Sequence, residues 1–187
     1  MIKWLPKKTV AILLYGRVIK RKADSVRTVN ITEIRRLAQS FRQGIERALE
    51  SGDISSRTTK STMPHFPKGC CEVASDLLAQ FLLEKGIQTK SVHGEYDYDD
   101  WENKFPHTWL ETDDGVIIDI TADQFAGEKI FEAFSLMPCY VGTDREFYSL
   151  FDEDYREEVF RGLRNCDGDF YRRNVDPLYE IILSHIV

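Results

Sequence analysis

Two of the chain's four cysteines stand side by side in FPKGCCE, directly after a Pro and a Gly and directly before an apolar run of helical spacing. A thiol is a nucleophile only as its thiolate, and the N-terminus of a helix favours that form through its positive dipole end. The unpaired N–H groups of the first turn, most simply that of Cys71, also suit a developing oxyanion. Against this stands the tendency of free cysteines to be small buried hydrophobes. Neighbouring residues on a helix point in different directions, so one of Cys70 and Cys71 is expected to face a substrate and the other to pack. The doublet alone does not say which.

A base and an orienting acid fall together further on, in HTWLETDDGVIIDIT, two short strands around a DDG turn. With a three-residue turn at Asp113, Asp114 and Gly115, Thr112 faces Val116, Trp109 faces Asp119 and His107 faces Thr121. His107 and Asp119 are then diagonal neighbours on one face, roughly 7–8 Å apart at Cα, a gap two polar side chains can bridge. Val116, Ile118 and Ile120 then share the other, apolar face with Thr108 and Leu110. A two-residue turn would send the His to the opposite face. Asp119, flanked by isoleucines in a strand, needs a partner if it is buried.

The elements that must hold these groups are legible in part. Ile34, Leu37, Phe41, Ile45 and Leu49 recur at helical spacing, with Thr32 as a candidate cap and Gly52 as a stop. A Ser/Thr/Gly/Pro-rich loop leads to a second helix, CEVASDLLAQFLLEKG, with Ala74, Leu77, Leu78, Phe81 and Leu82 on its buried side and Gly86 at its end. IQTKSVHGEY reads as a strand, YDYDDWENKFP as an acidic, aromatic loop and AGEKIFEAF as a helix that Asp123 or Gln124 would cap unless they contact substrate. In REFYSLFDEDYREEVFRGLR, Phe147, Leu150, Phe151, Val159, Phe160 and Leu163 suggest one or two amphipathic helices. Residues 1–29, including TVAILLYGRVI, are ambiguous between strand and helix. The expectation is an α+β domain over residues 30–187, its second helix packed on an antiparallel sheet.

In this order the residues resemble the transglutaminase-like branch of the papain-like cysteine enzymes: a Gly-x-Cys opening a helix that ends in Gly-Ile, a strand, then a His-x-Trp strand hairpinned to a strand bearing an Asp. KGCCEVASDLLAQFLLEKGIQTKSVHG matches the first part and HTWLETDDGVIIDIT the second, about residues 67–122 in all. The resemblance implies a papain/transglutaminase-like core with Cys71 as nucleophile, His107 as base and Asp119 as orienting acid, Cys70 being the packing neighbour. It differs from the family pattern in having Ile-Thr rather than Pro after Asp119. The implied chemistry is attack on an amide carbonyl of a protein or peptide, with deamidation or proteolysis ahead of crosslinking, and no cofactor. The rival expectation is a binding module on the same fold, its acidic C-terminal half recruiting a basic partner.

Composition narrows the alternatives. With 187 residues, 42% of them hydrophobic, the chain can bury a core. The first fifty residues hold twelve Lys/Arg against four Asp/Glu and the rest thirteen against twenty-seven, within a net charge of -6. No nucleic-acid motif accompanies the basic end, so packing against the acidic remainder is the simpler expectation. The longest apolar run near the start is about half of what a membrane helix needs and lacks a cleavage site. A vicinal pair is poor disulfide geometry, which favours reduced thiols and the cytoplasm. His65 and His93 have no metal-ligand spacing relative to the cysteines. Trp109 is expected to wall the site or to pack in the core.

Overall fold

The computed structural model describes residues 30–57, 63–97, 104–165 and 171–187. The readings of TVAILLYGRVI and of residues 98–103 in the acidic, aromatic loop lie outside them, as does Cys166.

The first helix, α1, spans Ile31–Glu50. Its cap is Asn30 rather than Thr32: Asn30 is extended, and its side-chain oxygen accepts the N–H of Thr32 at 3.0 Å, satisfying one orphan donor of the first turn. The expected stripe faces inward, with Ile34, Phe41 and Ile45 fully buried. After the loop, Gly69 takes a φ of +66°, a conformation that favours glycine, and turns the chain into α2, Cys71–Glu84. Cys70 is the residue just outside the helix and Cys71 its first residue.

Three strands follow: β1 (Lys90–Asp97), β2 (Lys104–Glu111) and β3 (Ile117–Asp119). The β2–β3 register pairs Leu110 with Ile118 and Glu111 with Ile117, and Thr112 N–H donates to Val116 O at 3.0 Å across a three-residue turn. This is the expected register. It puts His107, Trp109, Ile117 and Asp119 on one face of the sheet and Leu110, Val116, Ile118 and Ile120 on the other. Beyond β3 come β4 (Tyr140–Gly142) and β5 (Asp152–Val159), giving an antiparallel sheet in the order β4-β3-β2-β1-β5. The last helix, α3 (Asp176–Ser184), packs against α1.

Two expected helices are absent. AGEKIFEAF forms no α-helix; Ala122–Phe125 and Lys129–Phe131 make separate 3-10 turns, broken at Gly127, whose φ is +93°. Residues 152–159 form a strand, because the outer edge of β1 has backbone groups to satisfy and this segment supplies them, pairing Lys90 with Val159 and Glu95 with Asp152. Of the apolar residues whose spacing suggested helix, Phe147, Leu150 and Phe151 belong to or flank a short turn at Tyr148–Leu150, Val159 ends the strand, and Leu163 opens a second turn at Leu163–Asn165.

The sheet divides the interior in two. On one face α1, α2 and α3 bury an aliphatic core around Leu77, Leu78, Leu110, Ile118 and Ile182. On the other, irregular chain brings Trp109, Phe125, Phe131, Phe147, Tyr148 and Phe151 into a single aromatic cluster. The fold class is therefore α+β, with a helical layer on one side of an antiparallel sheet. Among the described residues, no helix is long and apolar enough to cross a membrane.

Candidate active site

In an antiparallel ladder alternate residues turn their N–H and C=O to the same neighbour. Thr112 and Leu110 turn theirs toward β3. By parity Thr108 does so too, but β3 has ended at Asp119 and the chain bends away there. The N-terminus of α2 fills the gap: Ser75 Oγ donates to Thr108 O at 3.1 Å, and the Thr108 N–H donates to the thiol of Cys71. An interrupted strand pair thus fixes where the helix begins relative to the sheet.

Cys71 is also hydrogen-bonded to His107. His107 Nε2 lies 2.7 Å from Asp119 Oδ2, with both side chains fully enclosed. Asp119 is held on every side: Thr121 donates its N–H (2.8 Å) and Oγ1 (3.1 Å) to Oδ1, and Tyr148 Oη donates to Oδ2 at 3.1 Å. The bend that ends β3 is this Asp-x-Thr turn. With Nε2 engaged by the carboxylate, the other ring nitrogen, Nδ1, is left for the thiol side, where the Gln124 amide sits 2.9 Å away.

The charges follow from these contacts. Burial works against ionising Cys71, but the hydrogen bond and positive charge of His107, the Thr108 N–H and the Gln124 amide outweigh it, and the thiol lies below its ordinary value. Burial likewise favours a neutral His107 ring, yet the Asp119 charge and hydrogen bond raise it to about 9. Asp119 is depressed despite complete burial, through His107 first and Thr121 second. The shifts of Cys71 and His107 both run in the direction that favours a thiolate beside an imidazolium. Cys70 is the opposite case: burial first, then the neighbouring Cys71, pushes its thiol up to about 12, and its Sγ donates to Pro67 O at 3.3 Å.

The structure therefore brings Cys71, His107 and Asp119 into one hydrogen-bonded chain and turns Cys70 into the core. Trp109 both packs and walls the site: it is fully buried, its ring centroid is 5.7 Å from that of His107, and its Nε1–H donates to Glu111 Oε1 at 2.9 Å. Asp123 and Gln124 cap no α-helix. Asp123 accepts two hydrogen bonds, each 2.8 Å, from the guanidinium of Arg42, whose Nη1 also donates to Ile120 O and Pro138 O. Arg42, buried on the inner side of α1, thus braces the segment that carries Thr121 and Gln124. His93 Nδ1 lies 3.0 Å from Thr108 Oγ1. Among the described residues no three His, Cys, Asp or Glu are grouped to hold a metal ion.

Three contributors have uneven sequence signals. Thr121 is announced by Asp-x-Thr, a local turn pattern. Arg42 is a cation set among Ala38, Phe41 and Ile45, which marks it as buried with a partner. Tyr148, twenty-nine residues from Asp119, has no signal at all. No protein-family model, curated protein or solved structure matches the chain at a significant level.

Proposed function

We propose that the protein is a thiol enzyme of transglutaminase-like, papain-like type, with Cys71 as nucleophile, His107 as proton shuttle and Asp119 as orienting acid. The observation that carries this reading is the continuous chain from Cys71 through His107 to Asp119, begun at the first residue of a helix. The Cys71 thiolate attacks the carbonyl carbon of a protein or peptide amide, forming a C–S bond while the π electrons move to oxygen. The Cys71 backbone N–H, which has no protein acceptor among the described residues, and the Gln124 amide, beside His107 Nδ1, are donors for that oxyanion. Collapse breaks the C–N bond, and the leaving amine takes its proton from His107 Nδ1. Water then attacks the thioester, giving a proton to His107 and releasing the acid and the thiolate. Asp119 keeps the ring oriented through Nε2 and stabilises its charge.

Nucleophile, proton carrier and orienting charge are all side chains, so the proposed chemistry runs without a cofactor. A thiolate beside a second thiol works best in reducing surroundings, in keeping with the cytoplasm. Hydrolysis, as deamidation or proteolysis, is favoured over transfer to an amine.

The test is brief iodoacetamide labelling at pH 6, read by peptide mass spectrometry on wild type and on His107→Ala. Selective alkylation of Cys71 that collapses in the variant is expected. Equally slow labelling of all four cysteines would overturn the enzyme reading and leave a binding module on this fold.

A further inference from the structure

Beside the triad, on the aromatic side of the sheet, lies an open cavity of about 250 Å³. It is smaller than the roughly 300–1,000 Å³ typical of sites for whole drug-sized ligands, which suits one long side chain. Its walls include Ala122, two positions from Gln124, and Tyr148, whose hydroxyl donates to Asp119. Phe134, Leu136 and Phe147 continue the apolar lining. Met137 stands on the same cavity and is 55% exposed, one of the few large hydrophobic side chains in the described residues left open to solvent.

The polar part of the lining has one sign. Asp144 and Glu146 are both exposed, and neither pairs with a cation among the described residues. Arg145, between them, is bound through both terminal nitrogens to Glu111, at 2.6 and 3.1 Å, and so does not neutralise them. The turn is built rather than loose: Tyr140 Oη bonds the backbone N–H and C=O of Asp144 at 2.8 and 3.0 Å, and Asp144 Oδ1 accepts the N–H of Glu146 at 2.9 Å. Tyr140 can fold back because residue 142 is glycine; a Cβ there would lie 2.6 Å from the Tyr140 hydroxyl.

We propose that this cavity is a substrate subsite for a lysine or arginine side chain, its aliphatic stem lying along Phe134, Leu136 and Met137 and its charged head meeting Asp144 and Glu146. Long cationic side chains divide in this way between apolar stem and charged end. The proposal rests on the thiol-enzyme reading for its place in catalysis. Tyr148 Oη, Asp119 Oδ2 and His107 Nε2 follow one another at 3.1 and 2.7 Å, with Cys71 across the imidazole ring. An extended substrate advances about 3.3–3.6 Å per residue. Moving a lysine along the peptide one position at a time locates the entering side chain relative to the attacked carbonyl.

The chain has three methionines, so methyl-labelled Met137 is a direct reporter by NMR. Titration with N-acetyl-lysine N-methylamide, or its arginine counterpart, should shift the Met137 methyl saturably. The norleucine analogue should bind at least tenfold more weakly. Added salt should weaken the lysine titration, and Asp144→Asn with Glu146→Gln should abolish it. No saturable shift, or equal binding of norleucine, overturns the site. Cys71-directed peptide electrophiles then test its catalytic place: lysine at the preferred position should accelerate labelling about tenfold over norleucine, and binding without that preference overturns the subsite role. Iodoacetamide labelling of the wild type stands apart from both. Its failure would remove the enzyme reading while the Met137 titration still decides the cation site.

Discussion

The two faces of the sheet are built on different principles. On the aliphatic face, whole helices lay periodic stripes against Leu110, Ile118 and Ile120, and the contacts are interchangeable hydrophobic area. On the aromatic face, no helix among the described residues covers the sheet; rings from short turns and from β2 close around His107, with Phe125, Phe151 and Trp109 centroids at 5.1, 5.5 and 5.7 Å. The first face supplies stability. The second excludes water from an ionisable pair, which strengthens the pair's interaction and makes each of its hydrogen bonds costly to lose.

The largest effect that would separate the faces is on thiol reactivity. His107→Ala should slow Cys71 alkylation at pH 6 by about a hundredfold or more, since an unperturbed thiol is then almost wholly protonated. Leu78→Ala, on the other face, should cost about 2–5 kcal/mol in urea denaturation, yet leave labelling of the folded protein within about twofold. If Leu78→Ala also removed selective labelling, the division of labour between the faces would be wrong. Cys70→Ala should keep most of the reactivity, while Cys71→Ala should abolish turnover of any amide substrate.

Asp119→Asn comes next, with an expected loss of about ten- to a hundredfold in labelling rate at pH 6. It should also flatten the acid limb of stability. A carboxyl whose folded pKa is depressed stabilises the protein above its unfolded value of about 3.9, and that contribution is lost as pH falls through the folded value. Wild type should therefore lose stability more steeply than Asp119→Asn below about pH 4, as thermal unfolding across pH 2–6 would reveal.

Two buried glycines sharpen the comparison at smaller scale. Gly94 lies opposite His107 in β1, and a Cβ there would sit 2.6 Å from Phe151 Cβ and 3.3 Å from the Trp109 ring. Gly94→Ala should cost about 1–3 kcal/mol, because no flexible tip can move aside. At Gly44 in α1 the nearest atom is the Ile186 side chain at 2.9 Å, which can shift, and alanine regains up to about 1 kcal/mol of helix propensity. Gly44→Ala should be the milder of the two by chemical denaturation. Tyr148→Phe, which removes only the hydrogen bond to Asp119, should cost about 0.5–1.5 kcal/mol and a few-fold in labelling rate.

The difference between the faces is also a difference in what could be read from the chain. Helices α1 and α2 repeat an apolar residue every three or four positions, and a repeat survives wherever the helix is placed. The hairpin was legible for a similar local reason: turn length and strand alternation fix the register, and the register puts His107 and Asp119 on one face. The segments over the aromatic face have no such repeat. Phe125, Phe131 and Phe147 are each held by what they touch across the fold, so the helix expected at AGEKIFEAF and the helices expected around residues 152–159 gave way to turns and a strand.

By itself, then, the sequence determined the two amphipathic helices, the start of the second at the Gly-Cys-Cys run, the favoured β2–β3 register and the candidates His107, Asp119 and one of Cys70 and Cys71, all of which depend on neighbours within a few residues or one hairpin. Tertiary structure alone decided which thiol faces the imidazole, because that depends on where α2 meets the unpaired edge of β2 at Thr108. It also decided that Tyr148 and Thr121 hold the carboxylate, that Arg42 braces Asp123, and that β5 completes the sheet. Those contacts join residues up to about eighty positions apart, and nothing local in a chain distinguishes a tyrosine that will reach a buried carboxylate from one that will not.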